Sequence, residues 1–138
     1  MTITHNTLRA GTVFAYKLTV DNGGAPCVHR GLLSLSICKP RIRVAANVGD
    51  WILGFGARSI EELRGRLIYV ARVTEVVEDG NYYRSRDYLD RPDCIYTHDG
   101  SAYAYREGSR FHGPEDLEHD LGEPTAGSDR HDRDDVIS

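Results

Sequence analysis

The sequence is poor in the features that announce the commonest chemistries. It has three cysteines, Cys27, Cys38 and Cys94, an odd number without CxxC spacing, which argues against a disulfide framework and a zinc knuckle. It contains no G-x-x-x-x-G-K-[ST] loop, no G-x-G-x-x-G opening a helix, and no H-x-E with P-C-x-x-C. Nucleoside-triphosphatase, dinucleotide and zinc-deaminase chemistries therefore lose their sequence basis. No run approaches the roughly 20 apolar residues of a membrane-spanning helix, and the opening MTITHNTLRAG lacks the apolar core of a secretory signal. A soluble, cytoplasmic protein is expected. Internal repeats are absent too.

What is present is enough for one core. The chain has 138 residues, 40% hydrophobic and 28% charged, which can bury one sizeable interior but hardly two. The expected organisation is an α+β domain over residues 1–112 and an acidic, largely flexible tail over 113–138 that ends in a partial strand. Such a tail is a candidate contact for a basic protein partner. The net charge of −4 superficially opposes nucleic-acid binding. Its distribution matters more than its sum, because residues 39–72 carry seven Lys and Arg against three Asp and Glu.

Periodicity predicts the elements. Residues 13–20 (VFAYKLTV) are β-branched and aromatic and run into the turn-forming DNGG at 21–24. Residues 31–38 (GLLSLSIC) alternate Leu33, Leu35 and Ile37 with Ser34, Ser36 and Cys38, the period of a strand with one buried face. Pro40 is expected to end that strand. Arg41 to Asn47 fit a short helical turn. Gly49-Asp50 turns into a third strand at 51–55, where Gly54 and Gly56 predict a bulge or a close backbone approach. Ser59 and Glu62 have the spacing of a capping box before a short helix. Residues 66–77 (RLIYVARVTEVV) form the clearest strand, apolar on both faces at its start and so expected to be central. A short helix within 78–91, a hairpin pairing 94–96 with 101–106, and a helical spacing of Leu117 and Leu121 follow. The order β-β-β-α-β predicts a curved mixed or antiparallel sheet, or a small barrel, with short peripheral helices.

Several residues are suited to chemistry. Lys39, Arg41 and Arg43, read as alternating at a strand end, place cations on one face where phosphate oxygens would be held; a solvated basic edge is the bland alternative. Trp51, directly after Gly49-Asp50, offers a face for a base to stack on, though a tryptophan on a short strand is more often core. Tyr83 and Tyr96 belong to a tyrosine-rich second half interleaved with Arg84, Arg86 and Arg106, a pattern found around nucleotides and also in small β cores. Lys39, Asp50 and His119 are the candidate acid, base or nucleophile. His98, His112 and His119 with Asp99, Asp116 and Asp120 offer acid-base or metal chemistry but lack the spacing of a helix-borne metal pair, so no metal site is expected, and the residues leave any cofactor open. Cys38 beside Lys39 reads either as a packed thiol, the commoner fate, or as a nucleophile.

The string ICKPRIR followed after a short spacer by VGDW, within residues 33–55, resembles the central signature of the nucleotide modification associated domain 2 family. The resemblance continues through RLIYVARVTEV and more loosely through DCIY, His119-Asp120 and the last four residues. It covers 13–138, and most specifically 31–77. Membership implies binding or processing of a modified nucleotide or base in a DNA-modification setting, with a base-hypermodification enzyme and a non-catalytic accessory protein as alternatives. By analogy the fold resembles small barrels of the PUA and EVE type, which read modified bases. In two places the chain departs from the family pattern. The family continues past a strand like Val136-Ile137-Ser138 into an aromatic segment, and its aromatic and basic insert before the region of Asp93 is short here.

Overall fold

The computed structural model describes residues 11–78 and 80–121 and the backbone of 135–137. In chain order its elements are β1 (Val13–Leu18), β2 (Cys27–His29), β3 (Leu32–Leu35), α1 (Pro40–Ala45), β4 (Trp51–Gly56), β5 (Leu67–Arg72), β6 (Glu75–Val77), β7 (Tyr96–His98), β8 (Tyr103–Tyr105), α2 (Leu117–Leu121) and β9 (Asp135–Ile137). Single 3₁₀ turns lie at Glu61–Leu63, Asn81–Tyr83 and Pro114–Asp116. The class is α+β.

Three small sheets result. The first has the order β1-β4-β5, with β1 parallel to β4 and β4 antiparallel to β5. A parallel pair needs a long crossover, and β2, β3 and α1 supply it. The second sheet, β2-β3-β9-β6, is antiparallel throughout, and β9 sits between β3 and β6. The third is the hairpin β7-β8. The long strand read at 66–77 is two strands in different sheets. At its break, Val73 N–H donates to Asp50 O (2.8 Å) and Val73 O accepts from Gly49 N (2.9 Å), so the Gly49-Asp50 turn uses the backbone groups of Val73. Among the described residues the sheets form no closed barrel.

Two apolar clusters share one stretch of chain. Leu35 packs with Ala46, Ile52 and Val73, whereas Ile37 packs with Val77, Tyr82, Tyr83, Ile95 and Tyr96. Leu35 and Ile37 are two residues apart, so one face of an extended segment feeds both cores. Each such side chain, fully buried, contributes about 1.5–3 kcal/mol. The β4-β5 register shifts between Gly54 and Phe55. A Cβ at Gly54 would strike the Tyr69 ring and Leu18, so that position admits no side chain.

Besides the divided strand at 66–77, four further expectations are corrected. Residues 39–43 are not a strand end: Lys39 is the N-cap of α1 and Pro40 opens the helix, where its missing N–H costs nothing. Ser59 caps no helix; its hydroxyl donates to Thr19 O (2.6 Å), and the chain makes only the 3₁₀ turn at Glu61–Leu63. The helix expected within 78–91 shrinks to the turn Asn81–Tyr83. The serine face of residues 33–37 is as buried as the leucine face, for a reason given below. Within 113–138, α2 carries the buried residues Asp120 and Leu121. Most of the acidic stretch expected to meet a basic partner, residues 122–134, lies outside the described residues.

Candidate functional site

The site is built on a buried polar node. Asp93, 0% exposed, accepts from Ser34 Oγ (2.5 Å) and Ser36 Oγ (2.6 Å) at Oδ2 and from the Tyr82 hydroxyl (2.6 Å) at Oδ1. The guanidinium of Arg91 lies 3.6 Å from Asp93 Oδ1 and donates to Ser34 Oγ and to the carbonyls of Cys27, His29 and Leu32. A charge can be buried only when paired and hydrogen-bonded, and this node meets both conditions. It explains why Ser34 and Ser36 face inward. Burial, then the carboxylate of Asp93, raises the Tyr82 phenol above its ordinary value, and burial raises the Cys27 thiol.

The same strand-like stretch ends at Cys38. Ser34 and Ser36 are anchored to Asp93, and the next alternate residue is exposed. Cys38 (φ +60°) and Lys39 (φ +52°) are consecutive non-glycine residues in the left-handed region, which costs about 1–2 kcal/mol per residue. The bend brings Cys38 Sγ to 3.9 Å from Nε2 of His112, itself at φ +53°. On the far side of the ring, His112 Nδ1 lies 2.6 Å from Asp120 Oδ2. That oxygen also accepts the hydroxyl of fully buried Tyr96. Asp120 comes from α2, Tyr96 from β7 and Cys38 from the turn before α1. An ionised carboxylate only accepts, so Nδ1 is the donor to Asp120, and whenever the ring is neutral Nε2 carries the lone pair that faces the thiol.

This cluster opens into a cleft of about 310 Å³. Cations line it at Lys39 and Arg110, and apolar surface at Leu18, Val20, Ile37 and Phe111. Lys39 Nζ lies 5.0 Å from the centre of the Tyr16 ring, and Tyr16 and Tyr69 share a hydrogen bond of 2.7 Å. Burial pushes the Tyr16 phenol up to about 12. The Arg110 guanidinium stands over Phe111 at 5.6 Å. Phe111 can lie against the 21–25 loop because Gly24 has no side chain: a Cβ there would come within 2.9 Å of the ring.

The sequence-derived candidates are scattered. Lys39 lines the cleft. Arg41 is exposed on α1, whereas Arg43 is 1% exposed and donates to Ser36 O; a helix, unlike a strand, sends residues two apart to different sides. Asp50 is buried and accepts from the backbone N–H groups of Thr12 and Asn47 (both 2.8 Å), a turn-forming role. It lines a separate cavity of about 640 Å³ with Trp51 and Arg72. Trp51 is 41% exposed, not core. Tyr83 and Tyr96 are buried and pack edge to face at 5.3 Å, so neighbouring side chains cover their rings. His119 is exposed on α2. Among the described residues no three metal-ligating side chains converge, and no helix is long and apolar enough to cross a membrane.

Arg110 and Phe111 went unremarked in the sequence, and His112 and Asp120 drew notice within a wider set of histidines and aspartates suited to acid-base or metal chemistry, not as partners of Cys38. The separation of 74 residues between Cys38 and His112 hides their contact. The visible cue was Pro40, which as a helix-opening residue would have marked Cys38-Lys39 as a bend. A family model, nucleotide modification associated domain 2, matches residues 10–132. No curated protein and no solved structure matches the chain.

Proposed function

Because the chain belongs to the nucleotide modification associated domain 2 family, we propose that the cleft beside Cys38 and His112 binds a nucleotide carrying a normal or modified base. The observation that carries this reading is the pairing, in one cavity, of two cations with an apolar wall. Lys39 and Arg110 suit phosphate oxygens, and Leu18, Val20, Ile37 and Phe111 suit the flat base. A volume of about 310 Å³ lies at the lower end of small-molecule sites, roughly 300–1,000 Å³. That favours a mononucleotide or an everted base over a duplex. The cavity beside Trp51 and Arg72 supports a second reading, in which an exposed indole stacks on the base.

A thermal-shift screen against nucleoside monophosphates with normal and modified bases tests both, since a ligand at 100 times its dissociation constant stabilises by about 2.7 kcal/mol. Lys39→Ala and Arg110→Ala should each weaken the best ligand by roughly 10- to 100-fold, the worth of one charge-assisted contact. If Trp51→Ala does so and they do not, the second cavity is the site. A screen with no shift for any nucleotide removes both readings.

A further inference from the structure

We propose that Cys38 is a nucleophile that adds reversibly to C6 of a pyrimidine nucleotide held in this cleft. The inference rests on the nucleotide reading above and goes beyond it by assigning a covalent step and a base class. Cys38 is no isolated thiol. Its Sγ lies at the cleft wall, 3.9 Å from His112 Nε2, and the ring is held from behind at 2.6 Å by Asp120. Asp120 is in turn fixed by the hydroxyl of buried Tyr96. A nucleophile, a base within reach of it and a third group orienting the base are the three parts such activation requires. Apo contacts of this kind are often long and tighten when substrate binds.

The chemistry of a nucleotide selects the target atom. Phosphorus is a hard centre that favours oxygen nucleophiles, and attack at a saturated sugar carbon would have to expel the base or the phosphate and so destroy the nucleotide. A thiolate is soft and polarisable, and the matching soft electrophile is C6 of uracil or cytosine, the conjugated end of the C5=C6 bond. The Cys38 proton passes to His112 Nε2 and the Sγ–C6 bond forms. The C5=C6 electron pair then moves toward C4, leaving an enolate in uracil or its amidine counterpart in cytosine. C5 next takes a proton from the imidazolium or from water. In reverse, C5 loses either of its two hydrogens and the Sγ–C6 bond breaks. The net result is exchange of the C5 hydrogen with solvent. Nothing is oxidised or reduced and no further reactant is consumed.

The full chain in deuterated buffer with dUMP or dCMP gives the test, read as loss of the C5 proton signal and a one-unit mass gain in recovered nucleotide. The expected result is exchange well above the buffer rate for at least one of the two. It should fall by about 100-fold or more in Cys38→Ala and His112→Gln, the scale of a lost nucleophile or base, while calorimetric affinity in Cys38→Ala changes by less than about 3-fold. The nucleotide should also slow alkylation of Cys38 by iodoacetamide, mapped by mass spectrometry, with buried Cys27 and Cys94 as internal references. Should His112→Gln fail to fold, Cys38→Ala decides alone. Binding without exchange overturns the covalent step and leaves the nucleotide reading standing. Absence of binding removes that reading and the inference with it. Exchange that survives in Cys38→Ala overturns the assignment to Cys38.

Discussion

Two polar clusters hang on the same five residues and behave as opposites. Ser34 and Ser36 point into the Asp93–Arg91 node, sealed in the interior with short hydrogen bonds to its carboxylate. Cys38 points into a cleft, meets His112 at 3.9 Å, and sits in a left-handed conformation. The first cluster makes a charge tolerable inside the protein; the second leaves a free thiol loosely held at a surface. Strained and loosely satisfied residues persist only where the surrounding structure fixes them, and the node two residues away does that fixing. The family-like string SLSICKP thus reads as anchor, anchor, and presented thiol.

The comparison breaks most visibly at Asp93. Asp93→Ala removes the carboxylate from Arg91 and the acceptor from Ser34, Ser36 and Tyr82. Leaving one partner of a buried ion pair uncompensated costs about 3–5 kcal/mol. Urea unfolding should show an unfolding free energy lower by that amount, read from the shift in midpoint multiplied by the slope. A loss under about 1 kcal/mol would mean water already reaches the node and the contrast between sealed and open clusters is false.

Tyr82→Phe is the next largest change, because it deletes one hydroxyl and keeps the ring stacked on Tyr88 at 4.9 Å. A hydrogen bond to a charged acceptor contributes about 1.5–3 kcal/mol. Its pH dependence has a definite sign. The folded phenol is raised by burial and by Asp93, so the fold favours the neutral form. The stabilisation is complete below the unfolded phenol's value near 10 and declines as pH rises beyond it. The wild type should therefore lose its advantage over Tyr82→Phe on the alkaline side alone, measured as unfolding free energy from pH 7 to 11.

At the open cluster the sign should reverse. Cys38→Gly relieves a left-handed strain of about 1–2 kcal/mol and returns part of it through a more flexible unfolded chain. A net gain of roughly 0.5–1 kcal/mol is expected. Destabilisation instead would show that the thiol contributes packing, and that the cleft is structural in the way the node is.

How legible this was follows from where each signal resides. The strands at 13–18, 51–56 and 67–72 were readable because β-branched and aromatic runs report local preference. The alternation at 33–37 was read with the right period and the wrong environment. Ser34 and Ser36 looked like a solvent face because their partners, Asp93 and Arg91, lie 57 to 59 residues away. Lys39, Arg41 and Arg43 were given a strand's geometry beside the helical turn also read from Arg41 to Asn47, and the helix that forms there turns Arg43 inward. Of the candidate site, Lys39 and Cys38 were visible singly, but His112 and Asp120 join them only through tertiary contact, which no spacing encodes.

The smallest effect expected tests whether burial, and not hydrogen bonding as such, sets the node apart. Asp99 is a second carboxylate rich in donors: its Oδ1 accepts from Ser101 N (2.8 Å), Ser101 Oγ (2.8 Å) and Ala102 N (2.9 Å), all within one exposed loop between β7 and β8. Those backbone and hydroxyl donors lower its carboxyl to about 2. A folded value below the unfolded one, near 3.9, stabilises above that pH and is lost as pH falls toward about 2. Carboxyl chemical shifts of Asp99 should report that midpoint. Asp99→Asn, which keeps the acceptor and removes the charge, should differ from wild type in full above about pH 4 and progressively less as pH falls to about 2, and by far less than Asp93→Ala because water screens an exposed charge. If the two substitutions cost the same, donor count alone governs both carboxylates, and the sealed interior around Asp93 contributes nothing of its own.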